Sequence, residues 1–384
     1  RRLTKSQLRQ IHYASLEILE YTGIRFQDEE AVALFRKCGA EVTDGNRIHL
    51  PTMRVEWALR AAPKQIILYD QRGRPSIRLS GRKSYYGNGS DLLNIIDHKT
   101  DERRLPLLED IRQFVGLLNA LPNYDFVMSG FIPSDLPQKK VETAQMMAML
   151  ENTDKPIIYV TTNVPDTKRD VAMAEAVAGG EATFRRQPFA VCYINITNPL
   201  RHNPESIQKL LYLSGKGLPF VYRPSIVTRG LSTPITVPGF LAVNNAAFLA
   251  GLVLSQLKKE GAPIIQDSCA GGTFDMKTSV GLHSAPEVRG FNEELAHFYG
   301  IPCFGIGGTS ASKAVDQQAA LESALTLITS TLAGAQLIHD VGYMDSGTTG
   351  SLNQAVICHE IIAWIKKYME GLVIDEESLA LDVI

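Results

Sequence analysis

The side chains that could do chemistry in this sequence lie at the ends of short apolar segments. Asn195 ends one such segment, Tyr222 and Arg223 end another, and His339 ends a third, with Tyr343 just beyond it. The segment ends are rich in amides, tyrosines and small residues and poor in carboxylates. Such a set can enclose and hydrogen-bond a small ligand, whereas paired acid/base catalysis needs two facing carboxylates. The residues therefore predict a pocket for a small molecule.

Several familiar catalytic motifs are missing. His359 and Glu360 stand together without the second histidine of a zinc-protease helix, and no Cys/His pair has the spacing of a zinc site. The glycine runs at residues 271–272 and 305–308 match no nucleotide-binding fingerprint, although a turn at residues 307–310 that precedes a helix suits an anion. There is no G-x-S-x-G nucleophile elbow. We expect no metal and no tightly bound cofactor.

These segments alternate with helical patterns, which predicts eight β/α units. Strands are predicted at residues 84–87, 126–130, 157–161, 189–194, 220–223, 264–267, 303–306 and 336–339. Helices are predicted at residues 107–121, 205–213, 241–257, 286–299 and 313–332, and after residue 351. Eight alternating units favour an α/β fold of the closed (β/α)₈ TIM-type barrel over an open doubly wound sheet, although strand order cannot be read from sequence. The carboxyl ends of all strands would then meet at one active-site face.

The chain is predicted to have three parts. Residues 1–83 read as a helical cap followed by a β-hairpin, residues 84–372 as the barrel, and residues 373–384 as a tail.

Composition narrows the class of protein. The formal charge is −2 with no dense basic stripe, so nucleic acid is not an expected partner. The apolar stretch at residues 239–257 contains Asn244, Asn245 and Gln256, which favours a buried helix over a membrane span. No segment near Arg1 reads as a signal peptide, and the five scattered cysteines argue against a disulfide framework. We expect a cytoplasmic protein.

Long ordered motifs give the sequence a family resemblance. PGFLAVNNAAFLAGLVLSQL at residues 238–257, GGTSASKAVDQQA at 307–319, LAGAQLIHDVG at 332–342 and DSG at 345–347 resemble the trimethylamine methyltransferase superfamily. The similarity extends from the predicted cap to LALDVI at residues 379–384. The resemblance implies a (β/α)₈ fold and transfer of a methyl group from a methylated amine to the Co(I) corrinoid (cobalamin) of a separate corrinoid protein.

The resemblance also implies a substrate class. Founding members carry pyrrolysine in the barrel, whereas every position here is a standard residue. The sequence is therefore similar to the non-pyrrolysine branch, which acts on quaternary amines such as glycine betaine, and glycine betaine is the expected substrate. A quaternary ammonium leaves as a neutral amine without proton transfer, so the barrel need only position one N-methyl group. A homo-oligomer is expected.

Nine residues are expected to bind the substrate. Arg223 and His339 suit the carboxylate of a betaine, although Arg223 could instead form a salt bridge with Asp267. Tyrosines suit a cage around the ammonium, or else are core residues with satisfied hydroxyls. Successive strand residues face opposite ways, so only one of Tyr85 and Tyr86 can point into the barrel, and Tyr86 is preferred. The full expected set is Tyr86, Phe131, Tyr193, Asn195, Tyr222, Arg223, Gln266, His339 and Tyr343.

Two other functions fit the same residues. A different barrel enzyme, such as a zinc-dependent methyltransferase, would require metal ligands, which the missing Cys/His cluster disfavours. A catalytically silent barrel that binds betaine would keep the pocket and lack methyl transfer.

Overall fold

Eight parallel segments form a closed barrel at the centre of the computed structural model, which describes residues 2–224, 229–268, 274–277, 280–281 and 288–384. The strands are β1 (Tyr85–Tyr86), β2 (residues 126–127), β3 (Ile157–Val160), β4 (Ala190–Asn195), β5 (Phe220–Arg223), β6 (Ile264–Asp267), β7 (Cys303–Ile306) and β8 (Leu337–His339). Seven of them form one sheet in the order β1-β8-β7-β6-β5-β4-β3. Parallel bridges from Gly87 to Phe126 and from Val127 to Ile157 place β2 between β1 and β3. The predicted (β/α)₈ barrel is confirmed.

Helices surround the barrel. A π-helical turn, Ile18–Thr22, extends the first of them. The helices are α1 (Lys5–Glu17), α2 (Glu29–Lys37), α3 (Thr52–Ala61), α4 (Leu108–Ala120), α5 (Gln138–Asn152), α6 (Val164–Val177), α7 (Glu181–Arg186), α8 (Pro204–Lys216), α9 (Val237–Lys258), α10 (Phe291–Tyr299), α11 (Gln317–Ala333), α12 (Leu352–Met369) and α13 (Glu376–Leu379).

A β-hairpin closes the amino-terminal end of the barrel. Its strands, Ile66–Tyr69 and Pro75–Leu79, pair antiparallel as predicted. Tyr69 N donates to Pro188 O just before β4, over 3.0 Å. The buried face of the hairpin joins the side chains that point into the barrel, and this cluster shows which face of each strand is interior. The cluster comprises Ile66, Leu68, Ile77, Leu79, Tyr85, Phe126, Met128, Ile158, Val191, Tyr193, Val221, Ile265, Phe304 and Leu337.

The helical cap is anchored to α9. Asn245 of α9 donates to Ser15 Oγ (2.9 Å) and Tyr299 Oη (2.8 Å), and Ser15 Oγ donates back to Ala242 O (3.0 Å). Among the described residues, α9 is the one helix long and apolar enough to cross a membrane, and most of it is buried inside the protein. The prediction of a buried helix at residues 239–257 is therefore confirmed.

Small sheets connect distant parts of the chain. Strand Arg201–His202 pairs with Ile24–Phe26, followed by Arg47–His49 and Glu41–Thr43, which ties the cap to the loop after β4. The loops after β1 and β8 share a second four-stranded sheet. Its strands, in order, are Tyr343–Met344, Thr349–Ser351, Asn94–Ile96 and Arg103–Arg104.

Some predicted boundaries differ from those observed. The helix predicted at 313–332 begins at Gln317, because Asp316 caps it by accepting a hydrogen bond from Ala319 N over 2.9 Å. The second strand was predicted over 126–130, but only residues 126–127 pair, and the chain turns at Gly130 with φ 75°. The predicted helix at 286–299 begins at Phe291. Pro286, Gly271, Gly272 and Cys269 lie outside the described residues.

Candidate active site

Tyr193, Arg223 and Asp267 form a buried polar group inside the barrel, near the carboxyl ends of β4, β5 and β6. Tyr193 Oη donates to Asp267 Oδ2 over 2.8 Å and accepts from Arg223 Nη1 over 2.5 Å. Arg223 Nε lies 3.4 Å from Asp267 Oδ2. The salt bridge between Arg223 and Asp267, which was weighed against a ligand role for the arginine, is therefore present, and it holds the guanidinium at the open end of the barrel.

Asp267 is the carboxylate of this group, and it is fully buried. Its side chain has no exposed surface, and Oδ1 has no hydrogen-bond partner among the described residues. Burial raises the pKa of this carboxyl, while Arg223 and the hydrogen bond from Tyr193 lower it. A buried acceptor without a partner costs about 1–3 kcal/mol. Oδ1 therefore suits a ligand that brings a hydrogen-bond donor or a positive charge.

His339 lies beside this group on β8. Its ring stacks on Phe304, with centroids 3.9 Å apart, and meets the Tyr193 ring edge-on at 5.7 Å. The Nδ1 atom lies 2.7 Å from Gly305 O. Because a carbonyl oxygen only accepts, Nδ1 carries a proton, and Nε2 of the neutral ring is an acceptor. The ring is thus fixed in place, with aromatic surface on two sides.

Asp340 was not among the predicted site residues, yet it belongs to this group. It is buried, with the left-handed φ of 66°, and its Oδ1 lies 3.5 Å from His339 Nε2. Burial raises its pKa to about 7; Asp267 and Asp91 also raise it, whereas Arg223 and Arg289 lower it. Two features of the sequence point to Asp340. It directly follows a histidine at the predicted end of a strand, and Asp tolerates left-handed backbone.

Tyr343 and Gly89 bring the loops after β8 and β1 together around Asp340. Tyr343 Oη donates to Ser90 O. A Cβ atom at Gly89 would lie 2.2 Å from Asp340 Oδ1 and 2.4 Å from Tyr343 Oη. The absence of a side chain at residue 89 is therefore what allows the carboxylate and the phenol to approach this loop.

Asn195 ends β4 in register with Arg223 on β5. Its Oδ1 is buried and has no hydrogen-bond partner among the described residues. The barrel alternation that puts Val191 and Tyr193 inside also puts Asn195 inside. Of the predicted residues, the structure thus brings together Tyr193, Asn195, Arg223 and His339, with Tyr343 at the rim.

Tyr86 and Tyr222 lie on the outer face of the barrel. Tyr86 Oη shares a hydrogen bond with Thr331 Oγ1 of α11 (2.9 Å), and Tyr222 Oη with His202 Nδ1 (2.7 Å). The expectation that Tyr86 belongs to an ammonium cage does not fit this placement, because Tyr85 occupies the inward position of β1. Both outer tyrosines are instead core residues with satisfied hydroxyls.

Gln266 and Phe131 also lie away from the interior group. Gln266 precedes Asp267 and follows the inward-facing Ile265, so alternation turns it outward; its amide has no partner among the described residues. Phe131 lies beyond β2 and packs on Phe114, with ring centroids 5.2 Å apart. Neither placement fits the expected contact with a ligand inside the barrel.

The interior group can recognise a small ligand with separated charges. Arg223 offers a guanidinium, Asp267 and Asp340 offer carboxylates, and Tyr193, Phe304 and His339 offer ring surfaces. Within the described part of the chain, no three His, Cys, Asp or Glu side chains are arranged to hold a metal ion. The chemistry that these residues support is positioning and electrostatic stabilisation of a bound molecule.

Comparison with known proteins identifies relatives along the whole chain. The family model described as trimethylamine methyltransferase (MTTB) matches residues 1–384. A trimethylamine methyltransferase MttB of Desulfitobacterium hafniense is 31% identical over 98% of this chain and 77% of its own length. A glycine betaine methyltransferase of the same species is 29% identical over 100% of this chain and 80% of its own length. A trimethylamine methyltransferase MttB of Methanosarcina barkeri is 29% identical over 99% and 78%.

A solved structure shares the fold. The hydroxylamine complex of MtmB superposes with a TM-score of 0.52 and 12% sequence identity, covering 93% of this chain and 78% of that one. At this identity the likeness concerns the fold alone.

Proposed function

Because the chain belongs to the trimethylamine methyltransferase family, we propose that it transfers a methyl group from a quaternary amine, with glycine betaine as the leading candidate, to the Co(I) corrinoid of a separate corrinoid protein. The observation that carries the substrate class is the interior group of Arg223, Asp267 and Asp340, which combines both signs of charge near the carboxyl ends of the strands. Trimethylamine methyltransferases and a glycine betaine methyltransferase are similar to this chain to nearly the same degree, so the choice between the two substrates rests on the interior group.

The two ends of a betaine would meet different parts of this group. Its carboxylate would accept hydrogen bonds from the Arg223 guanidinium, which matches the planar geometry of a carboxylate. Its ammonium would lie against ring faces and near the carboxylate of Asp340. A simple cationic amine would use only the second set of contacts. A site with both signs of charge therefore supports a zwitterionic substrate over trimethylamine.

The proposed reaction requires little acid/base chemistry from the residues of the barrel. The corrinoid supplies the nucleophile that accepts the methyl group, and the leaving group is a neutral tertiary amine, so no proton moves. The residues of the barrel bind the substrate, orient one N-methyl group toward the open end and exclude water. Positive charge on nitrogen disappears as the bond breaks, so an excessively tight cation site would stabilise the substrate more than the transition state.

The partner and the setting follow from this proposal. A corrinoid protein would approach the carboxyl ends of the strands, where the loops after β1 and β8 share a sheet. We place the reaction in the cytoplasm. We also propose the division into a cap and hairpin at residues 1–83, a catalytic barrel at 84–372 and a tail at 373–384.

Product analysis tests the proposal. The purified protein is incubated with Co(I) cobalamin and glycine betaine, and the products are followed by proton NMR. We expect dimethylglycine and methylcobalamin in equal amounts. Calorimetric binding of glycine betaine without any product would instead indicate a betaine-binding barrel, and absence of both binding and product would reject the proposal.

A further inference from the structure

Asn195, Arg223 and Asp267 lie side by side in one layer of the barrel interior. Asn195 of β4 is in register with Arg223 of β5. On the other side, Tyr222 is in register with Gln266 of β6. The residues that follow these two, Arg223 and Asp267, are therefore neighbours as well. Because in-register residues of parallel strands face the same way, Asn195 and Asp267 flank the guanidinium, one on each side.

Both flanking residues present a hydrogen-bond acceptor that lacks a partner. Oδ1 of Asn195 and Oδ1 of Asp267 are buried, and neither accepts a hydrogen bond within the part of the chain that the structure describes. The Asp267 side chain has no exposed surface. Folded proteins satisfy nearly all of their buried acceptors. Orphan acceptors beside a ligand-binding guanidinium therefore indicate a ligand that brings a donor.

Glycine betaine does not bring such a donor. Its carboxylate only accepts hydrogen bonds, and its quaternary nitrogen carries no hydrogen. A positive charge also suits the Asp267 carboxylate, whereas the neutral amide of Asn195 requires a conventional donor. With the substrate carboxylate on Arg223, the group that reaches Asn195 must be attached close to that carboxylate. A hydroxyl group on a neighbouring carbon fits this position.

The backbone holds the Asn195 amide in place. Ser206 Oγ of α8 donates to Asn195 O. The ladder to β5 continues past the end of the strand, because Ile196 N donates to Arg223 O over 3.2 Å. An asparagine amide has an acceptor and a donor on neighbouring atoms, and a hydroxyl both donates and accepts. The side chain is thus suited to pair with a hydroxyl without rearrangement of the strand.

We propose that Asn195 is a specificity-determining residue that binds a hydroxyl group of the substrate, so that the preferred substrate is a betaine with a hydroxyl close to its carboxylate. This inference rests on the proposed function, because it takes the substrate carboxylate to bind at Arg223. A site built to hydrogen-bond a hydroxyl rejects the analogue that lacks it, since its own buried polar group is then left unpaired.

A matched pair of ligands tests this assignment. N,N,N-trimethylserine carries a hydroxymethyl group beside its carboxylate, and N,N,N-trimethylalanine has a methyl group in its place, so the two differ by one oxygen atom. Calorimetry with the full chain measures both affinities for wild type, Asn195→Leu and the control Gln266→Leu. Gln266 is the matched control, because it is also a strand-end amide, buried and without a partner among the described residues, but on the outer face of the barrel.

We expect the wild type to bind trimethylserine about tenfold or more tightly than trimethylalanine. Asn195→Leu should weaken the binding of trimethylserine alone and bring the two affinities within about twofold of each other. Gln266→Leu should keep the wild-type ratio. Both ligands are measured on the same protein, so a general loss of structure would lower both affinities and leave their ratio unchanged.

Methyl transfer from glycine betaine to Co(I) cobalamin is measured in parallel. A wild type that transfers the methyl group but binds trimethylserine no more tightly than trimethylalanine would overturn the hydroxyl subsite and leave the proposed function intact. A preference that survives Asn195→Leu, or that Gln266→Leu also removes, would overturn the assignment to Asn195. Failure of all three betaines to bind would reject the proposed function and this inference with it.

Discussion

Tyr193 donates its hydroxyl hydrogen to Asp267 Oδ2 over 2.8 Å, across the interior of the barrel from β4 to β6. Both side chains are buried. The bond joins a neutral donor to a carboxylate that burial would otherwise favour in its protonated form. The free energy of unfolding of the barrel therefore depends on whether Asp267 is ionised.

Replacing Tyr193 with Phe should destabilise the protein by about 1.5–3 kcal/mol, the range for a hydrogen bond to a charged group. The ring packing survives, so the loss arises from the two hydrogen bonds of the hydroxyl, which donates to Asp267 and accepts from Arg223. Losing the donor also raises the pKa of Asp267 further, so the loss should be larger at a pH where Asp267 is ionised than at one where it is protonated. Urea unfolding measures the difference, with the exposed Tyr13→Phe as control. Equal small effects of the two substitutions would contradict the account.

Arg223 should determine affinity for the carboxylate end of the ligand. Arg223→Ala alone would leave Asp267 buried without its cation, so the test compares the double variant Arg223→Ala with Asp267→Asn against Asp267→Asn alone. Calorimetry should show glycine betaine binding weakened by about 1.5–3 kcal/mol, with binding of the uncharged-tail analogue choline changed far less. Equal losses for both ligands would mean that these residues only support the rim.

Tyr86 provides the matched comparison, because it is a buried tyrosine outside the interior group. Tyr86→Phe removes its hydrogen bond with Thr331 and should cost about 1 kcal/mol of stability. Ligand affinity should remain that of the wild type. A calorimetric loss of betaine affinity in a folded Tyr86→Phe protein would show that the ligand lies elsewhere than the barrel interior.

Asp340 should make stability fall as pH rises. Its pKa is about 7 in the folded protein and 3.8 ordinarily, so between about pH 4 and pH 7 the folded state holds more protons than the unfolded state. Stability then decreases with pH, by at most about 1.4 kcal/mol per unit. Asp340→Asn removes this dependence and keeps a residue that tolerates φ 66°.

The measurement is the free energy of unfolding of Asp340→Asn minus that of wild type, taken across this pH range. Glu293 and Asp170, whose pKa values burial raises to about 7 and about 8, act in the same direction in both proteins and cancel in the difference. We expect the difference to increase with pH. A difference that stays constant would refute the assignment to Asp340.

Gly89→Ala should damage the site, whereas Gly116→Ala should not. The new methyl at residue 89 would overlap Asp340 Oδ1 and Tyr343 Oη, and would displace both. At Gly116, inside α4, a Cβ meets nothing within 4 Å, and alanine should stabilise the helix by about 0.5–1 kcal/mol. Calorimetry and melting curves measure both effects. Unchanged ligand affinity in Gly89→Ala would remove Asp340 and Tyr343 from the site.

The sequence predicts the barrel well, because the spacing of apolar residues in each segment distinguishes a strand from a helix. Alternation predicts two faces for every strand but not which face is inside. In β1 the adjacent Tyr85 and Tyr86 are chemically equivalent, and the hairpin that packs on Tyr85 decides between them. The same ambiguity led to Gln266 in place of its neighbour Asp267. These residues could not be assigned without tertiary contacts.

The remaining site residues depend on contacts between distant segments. Asp340 joins the site because the loop after β1 offers Gly89 at close approach, over 250 positions away in sequence. The sequence pattern around either residue gives no information about such a contact. The sequence predicted that Tyr193, Arg223 and His339 would lie close together, because strand ends converge in any closed parallel barrel, whatever the details of packing.

A competition experiment tests the proposed function most directly. Equal concentrations of glycine betaine and trimethylamine are supplied with Co(I) cobalamin, and the demethylated products are resolved by proton NMR. The account predicts dimethylglycine with no more than a trace of dimethylamine, because only the zwitterion engages both the guanidinium of Arg223 and the carboxylate of Asp340. Dimethylamine in equal or greater amount would contradict it.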